Sequence, residues 1–135
     1  MAKLVLTDAK VTINSVNLSD HINSITIETK DDIVETTAFG STAKTRVAGL
    51  ADNSVTIDFM QDFAASNVEA TIYPLLGSAT TIVVTPTSSA ASTTNPSYTF
   101  SALISEWTPL KGSIGALATA SVTWPISGTI TKATA

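Results

Sequence analysis

Only one residue of the chain has a side chain whose ordinary pKa lies near neutral pH. It is His21, the single histidine among 135 residues. Any Ser/His/Asp triad would have to run through it. It sits beside Asp20 in a Ser19-Asp20-His21 turn, and no Gly-x-Ser-x-Gly elbow occurs anywhere. His21 is therefore read as a turn histidine whose imidazole bonds nearby backbone. The paired acids are Asp31 with Asp32, Asp58 with Asp62, and Glu69 with Glu106. A glycosidase-type pair needs carboxyls about 5 to 10 Å apart in a cleft. Such clefts are lined with aromatics, which here make up 6% of the chain. Asp31-Asp32 reads as the start of a turn and Glu69 as part of a helix cap. There is no calcium-type Asp/Asn/Gly loop and no phosphate-cradling glycine loop. With no cysteine, disulfides, thiolate chemistry and Cys-based zinc are excluded. No catalytic residue, cofactor or metal is assigned, and the chain is read as not an enzyme.

Composition points the same way. Charged residues are 13% of the chain, about half the usual share. A soluble monomer keeps more charge on its surface, so much of this surface is expected to be covered by neighbours. Thr, Ser and Ala number 23, 16 and 18, a composition typical of extracellular and virion β proteins. The net charge of −4 argues against a nucleic-acid binder, which needs clustered Lys and Arg. MAKLVLTDAK has too short an apolar run for a signal peptide. No window nears the roughly 20 apolar residues of a membrane span, so a soluble chain made in a cytoplasm is expected.

The elements that position these residues follow from periodicity. A first strand is expected at Lys3–Thr7, then a tight hairpin in VTINSVNLS turning at Asn14-Ser15. Ile22–Lys30 alternates, with Ile25 and Ile27 inward and Thr26, Glu28 and Lys30 outward. Val55, Ile57 and Phe59 alternate again. Ser66-Asn67-Val68-Glu69 fits a capping box with Ser66 as N-cap. Val68, Ile72, Leu75 and Leu76 then form a helical apolar face that Pro74 and Gly77 limit. TTIVVT (80–85) is a strand, TSSAASTTN (87–95) a mobile exposed loop, and Tyr98–Trp107 a long strand. Leu117–Trp124 alternates weakly, and Ser127-Gly128 turns into a last strand, Thr129–Lys132. Trp107 and Trp124 are assigned to packing in preference to interface anchoring. About eight or nine strands and one helix, without a βαβ rhythm, predict a mainly antiparallel β-sandwich or barrel in one domain spanning 1–135.

One stretch fits no core. Residues 31–53 begin with acids, pass through a Thr/Gly/Ala-rich middle and carry Lys44 and Arg46. Ile33–Thr37 and Lys44–Val47 can pair as strands about a bend at Phe39-Gly40-Ser41, with Gly49 and Asp52-Asn53 marking the next turn. Lys44 and Arg46 would share a strand face. This extended arm is expected to contact other copies through Asp31, Asp32, Glu35, Thr37, Phe39, Lys44 and Arg46. In that contact Lys44 and Arg46 of one copy would meet Asp31, Asp32 or Glu35 of another.

In order, VTINSVNLSDHINSITIETKDDIVETTAFGS, RVAGLADNSVTIDFMQDF and SNVEATIYPLLG resemble the major tail (tail tube) proteins of long-tailed, siphovirus-type phages, especially those infecting actinobacteria. The positions that carry the resemblance are Asn17–Asp20, Glu35–Thr37, Phe39-Gly40, Gly49-Leu50, Gln61–Phe63 and Asn95–Tyr98, and it spans residues 4 to 132. The resemblance implies a β-sandwich or barrel flanked by a helix, assembling into stacked hexameric rings that form a hollow tube. The arm would reach the adjacent ring. Implied partners are further copies of the chain, the tape measure protein, and the distal tail and tail terminator proteins. Genomic DNA would be only transient cargo, with Glu28, Asp58 and Glu106 as outward strand acids that could face it; no membrane is implied. The implied location is the virion tail, with assembly in the host cytoplasm. Alternatives are the inner tube of a contractile injection system and an immunoglobulin-like adhesin or binding module.

Overall fold

The computed structural model describes residues 5, 7–65 and 67–134. Strand-forming sequence dominates: β1 (Lys10–Ile13), β2 (Val16–Asn17), β3 (Ile22–Glu28), β4 (Asp31–Glu35), β5 (Arg46–Ala51), β6 (Ser54–Met60), β7 (Ala79–Thr85), β8 (Ser97–Leu103) and β9 (Thr119–Ala133). Among the described residues the one α-helix, α1 (Val68–Ile72), continues as a 3-10 turn over Tyr73–Leu75. Seven strands form one antiparallel sheet in the order β2-β1-β7-β8-β9-β6-β3, while β4 and β5 pair only with each other. The strand expected at Lys3–Thr7 falls largely on residues outside the described set.

The sheet curls because β9 serves both halves. Its first part pairs with β6, from Thr119↔Met60 to Pro125↔Ser54, and its second with β8, from Ile126↔Ala102 to Ala133↔Ser97. The strand bends near Gly128, whose φ of +91° suits a residue without Cβ. The turn expected at Ser127-Gly128 is thus a bend inside one continuous strand. Alternation then puts Val55, Ile57, Phe59, Ile82, Phe100, Val122 and Trp124 inside a single core. Trp124 is wholly buried, its indole N–H donating to the Glu106 carbonyl at 2.8 Å. Trp107 packs edge-on against Phe59 with ring centroids 5.5 Å apart. Both tryptophans pack inside, as expected, although Trp107 lies beyond β8, which ends at Leu103.

Local details follow from residue chemistry. Asn14 and Ser15 both take positive φ between β1 and β2, as a two-residue hairpin turn demands. The 87–95 segment expected to be mobile is organised by the buried Asn95. Its side chain accepts from the Thr87 N–H and donates to the Ser89 and Ala90 carbonyls. Ser66, read as the N-cap, lies outside the described residues. Asn67 stands at the helix start without a side-chain cap, and the Glu69 carboxylate is engaged elsewhere among the described residues. It accepts from Trp107 Nε1–H at 2.8 Å and Gln61 Nε2–H at 3.1 Å. Val68 and Ile72 are fully buried, whereas Leu76, expected on the same apolar face, is exposed beyond the 3-10 turn.

Candidate assembly surface

The arm is a β-hairpin whose strands pack on no other described element: every residue of β4 and β5 is exposed. Its ladder runs Ile33↔Ala48, Val34↔Val47 and Glu35↔Arg46, with an irregularity between Asp31 and Ile33. Beyond the strands, the Thr36 N–H donates to the Thr45 carbonyl at 2.8 Å, and their hydroxyls lie 2.8 Å apart. The Thr45 N–H donates to Thr37 Oγ1 at 3.0 Å. The base closes where the Asp52 N–H meets the Lys30 carbonyl at 2.7 Å. At the tip, Gly40 takes φ +88° and Phe39 is fully exposed.

These contacts place each expected contact residue. Asp31 pairs with Ala51, and Asp32 sits at the irregularity; both belong to β4, where a turn was expected. Gly49 lies inside β5 and not at a turn, because its missing Cβ accommodates Val34 Cγ2, which would stand 3.1 Å away. Lys44 precedes β5, so it shares the tip with Phe39 and does not share a strand face with Arg46. Glu35 faces Arg46 across the same hairpin, so an opposite charge stands beside Arg46 without a second copy.

Sequence reasoning missed the apolar character of the arm. Ile33 (73% exposed) lies on one face and the cross-strand pair Val34 and Val47 on the other, with Leu50 (83%) exposed at the irregularity. The signal was present in Ile33-Val34: two adjacent apolar residues on a strand point to opposite faces, so both faces need cover. A lone two-stranded hairpin is marginal in water, and this one exposes apolar surface on both sides.

Two further surfaces matter. The outer face of β3, β6 and β9 carries the rows Ser24–Asp58–Ser121, Thr26–Thr56–Thr123 and Glu28–Ser54–Pro125. It holds hydroxyls and two carboxylates, and no Lys or Arg. Glu106, expected on a strand, lies in the 104–118 connection and accepts the Thr123 N–H at 3.0 Å. The second surface is the edge of β3, a seven-residue strand paired on one side only. There the inward Ile25 and Ile27 are half-buried, beside clefts shared with Val84 and Tyr98.

His21 makes no backbone bond through its ring, contrary to expectation. Its Nδ1 lies 2.8 Å from Asp20 Oδ1 and its Nε2 2.8 Å from Asp62 Oδ2. A neutral imidazole has one N–H, so two carboxylate acceptors call for the imidazolium. Burial lowers the His21 pKa, but hydrogen bonds and charge from Asp62 and Asp20 outweigh it, and the net shift is upward. Asp62 is held below the usual carboxylate range by the Ala64 N–H and by His21. Asn67 also donates to Asp62, at 2.8 Å. Among the described residues no serine or threonine hydroxyl meets the imidazole; the group is a staple between the turn before β3 and the β6–α1 connection.

No protein-family model and no curated protein sequence matches the chain. Solved structures do match it in fold. The SPP1 tail tube superposes with a TM-score of 0.76 at 9% identity, over 98% of this chain and 80% of that one. A chain of the virion of the native gene transfer agent particle gives 0.73 at 11% identity, over 93% and 95%. A chain of the six-fold symmetrised baseplate of the anti-feeding prophage gives 0.59 at 7% identity, over 98% and 97%. The fold, an antiparallel curled sheet with one short helix, is thus one found in tail tubes. At these identities the likeness is one of fold.

Proposed function

We propose that the chain is a structural virion subunit without enzymatic activity, which assembles into stacked hexameric rings forming a tail tube of the long, non-contractile, siphovirus type. One observation carries the reading: across nearly its whole length the chain has a fold found in tail tubes, and that fold projects a hairpin with uncovered apolar residues on both faces. A monomer gains nothing from such a hairpin. In a tube it joins one ring to the next through Asp31, Asp32, Glu35, Thr37, Phe39, Lys44 and Arg46.

Lateral closure of each ring would use the free edge of β3, which ring formation removes as an exposed edge. The outer face of β3, β6 and β9 would line the lumen. Its hydroxyls and the carboxylates of Glu28 and Asp58 leave DNA phosphates without a cation to grip, so passing DNA would not stick. The tape measure, distal tail and tail terminator proteins would be partners at the lumen and tube ends. The tube would reside in the virion tail after assembly in the host cytoplasm.

The whole-chain likeness to the anti-feeding prophage baseplate favours a second reading, the inner tube of a contractile injection system. Sheath genes beside this gene would select it. The first test is electron microscopy of the concentrated purified protein. Rings or tubes are expected; a strictly monomeric species at every concentration would overturn both tube readings.

A further inference from the structure

A hairpin that joins two copies needs a receiving surface, and the end of the β3–β6–β9 ladder opposite the hairpin has the matching features. The hairpin leaves the ladder where Glu28 pairs with Ser54. At the other end, seven residues or about 20 Å away, Met60 pairs with Thr119, and the Lys111 carbonyl accepts the Thr119 N–H. There Gln61 joins two segments: its N–H meets the Ala118 carbonyl at 3.0 Å, and its side-chain amide donates to the Pro109 carbonyl. Within two residues of this junction stand Phe63 (62% exposed), Leu110 (71%) and Leu117 (62%), with the fully exposed Ile114 on the loop above them.

Charge distinguishes this end from the hairpin tip. Residues 35–46 carry two cations, Lys44 and Arg46, against one acid, Glu35, which faces Arg46. The receiving end carries three acids, Asp20, Asp62 and Glu69, against two cations, Lys111 and the His21 imidazolium. Two tips would repel each other, whereas a tip and a receiving end attract. Each has an uncovered aromatic or aliphatic centre, and the net charges of the two ends are opposite in sign.

We propose that the Phe39 tip of one copy docks on the Phe63–Leu110–Leu117 patch of a second copy. The contact is heterologous, with one end of a chain meeting the other end of the next, so it repeats without closing and grows along an axis. This deepens the tube reading and rests on it, by assigning the receptor of the hairpin.

The chain has no cysteine, so disulfide trapping has no background. Phe39→Cys and Leu110→Cys are made singly and together, with Ile114→Cys replacing Leu110→Cys if the latter misfolds by circular dichroism. Assembly is first checked by electron microscopy, and the material is then oxidised. The double variant is expected to run as a ladder of dimer, trimer and higher species on non-reducing gels. An equal mixture of the single variants is expected to stop at the dimer. Tubes that form while Phe39→Cys links only to itself, or to neither receiving position, overturn the receptor assignment and leave the tube reading standing. Failure of the unaltered chain to assemble removes the tube reading and this proposal with it.

Discussion

The ladders β3–β6 and β4–β5 lie next to each other in the chain, and both are antiparallel pairs of β-prone residues. In the first, one face is buried: Val55, Ile57 and Phe59 are inaccessible to water and Ile25 and Ile27 pack against them. In the second nothing is buried, although Ile33, Val34, Val47 and Leu50 are as apolar. The first pair draws its stability from its own chain. The second has ladder bonds and turn chemistry only, and gains burial when another molecule supplies it. Apolar content therefore does not distinguish a core strand from an assembly strand. What distinguishes them is whether the topology returns another layer to cover the strand, and here the curl of the sheet brings β1, β7 and β8 over the first pair alone.

This contrast can be broken on either side. The largest effect on the body is expected from Trp124→Ala, which empties a fully buried site and costs about 3–5 kcal/mol in denaturant unfolding. The largest effect on assembly is expected from Lys44→Glu with Arg46→Glu. Each exposed pair is worth only about 0–1 kcal/mol, but the contact recurs in every subunit, so tube growth should be lost while the unfolding midpoint of the monomer stays put. Normal tubes from that variant would remove Lys44 and Arg46 from the contact.

A smaller, sharper effect is expected from Gly49→Val. The new side chain would meet Val34 Cγ2 and the Asp32 carbonyl inside normal contact, so hairpin amides should exchange faster and assembly should weaken. Global stability should change by no more than about 0.5 kcal/mol. A large global loss would mean that the hairpin is part of the body after all.

The smallest effect belongs to the staple. His21 has a raised pKa, so its contribution is complete below its ordinary value of 6.5 and is lost as pH climbs through the raised one. Asp62 has a lowered pKa, so its contribution is complete above 3.8 and is lost as pH falls through the lowered one. The excess stability of the unaltered chain over His21→Gln should therefore be greatest between these two values and shrink towards alkaline pH. A difference that is flat with pH would mean that His21 is held neutral.

The body was legible in the sequence wherever alternation was clean, as at Val55-Ile57-Phe59 and at the Asn14-Ser15 turn, because a period of two and a paired positive φ leave few alternatives. Where geometry is set by tertiary partners the reading went astray. Ser127-Gly128 reads as a turn in any window, and only the bend of β9 between two neighbours makes it strand. Gly49 reads as a turn because its role, room for Val34, belongs to a cross-strand contact. Asn95 reads as loop composition because its buried hydrogen bonds join residues five to eight positions apart. In the hairpin, charge and bend were legible from Asp31, Lys44 and Phe39-Gly40. Its apolar faces were not, since patterning alone does not reveal that β4 and β5 lie apart from the sheet.

Hydrogen exchange of residues 31–51, compared between monomer and assembled material, tests the central claim most directly. In the monomer these amides should exchange quickly beside a protected β6–β9 core, and in the assembly they should become as slow as the core. Equal, fast exchange of the hairpin in both states would contradict its role as the connector between copies.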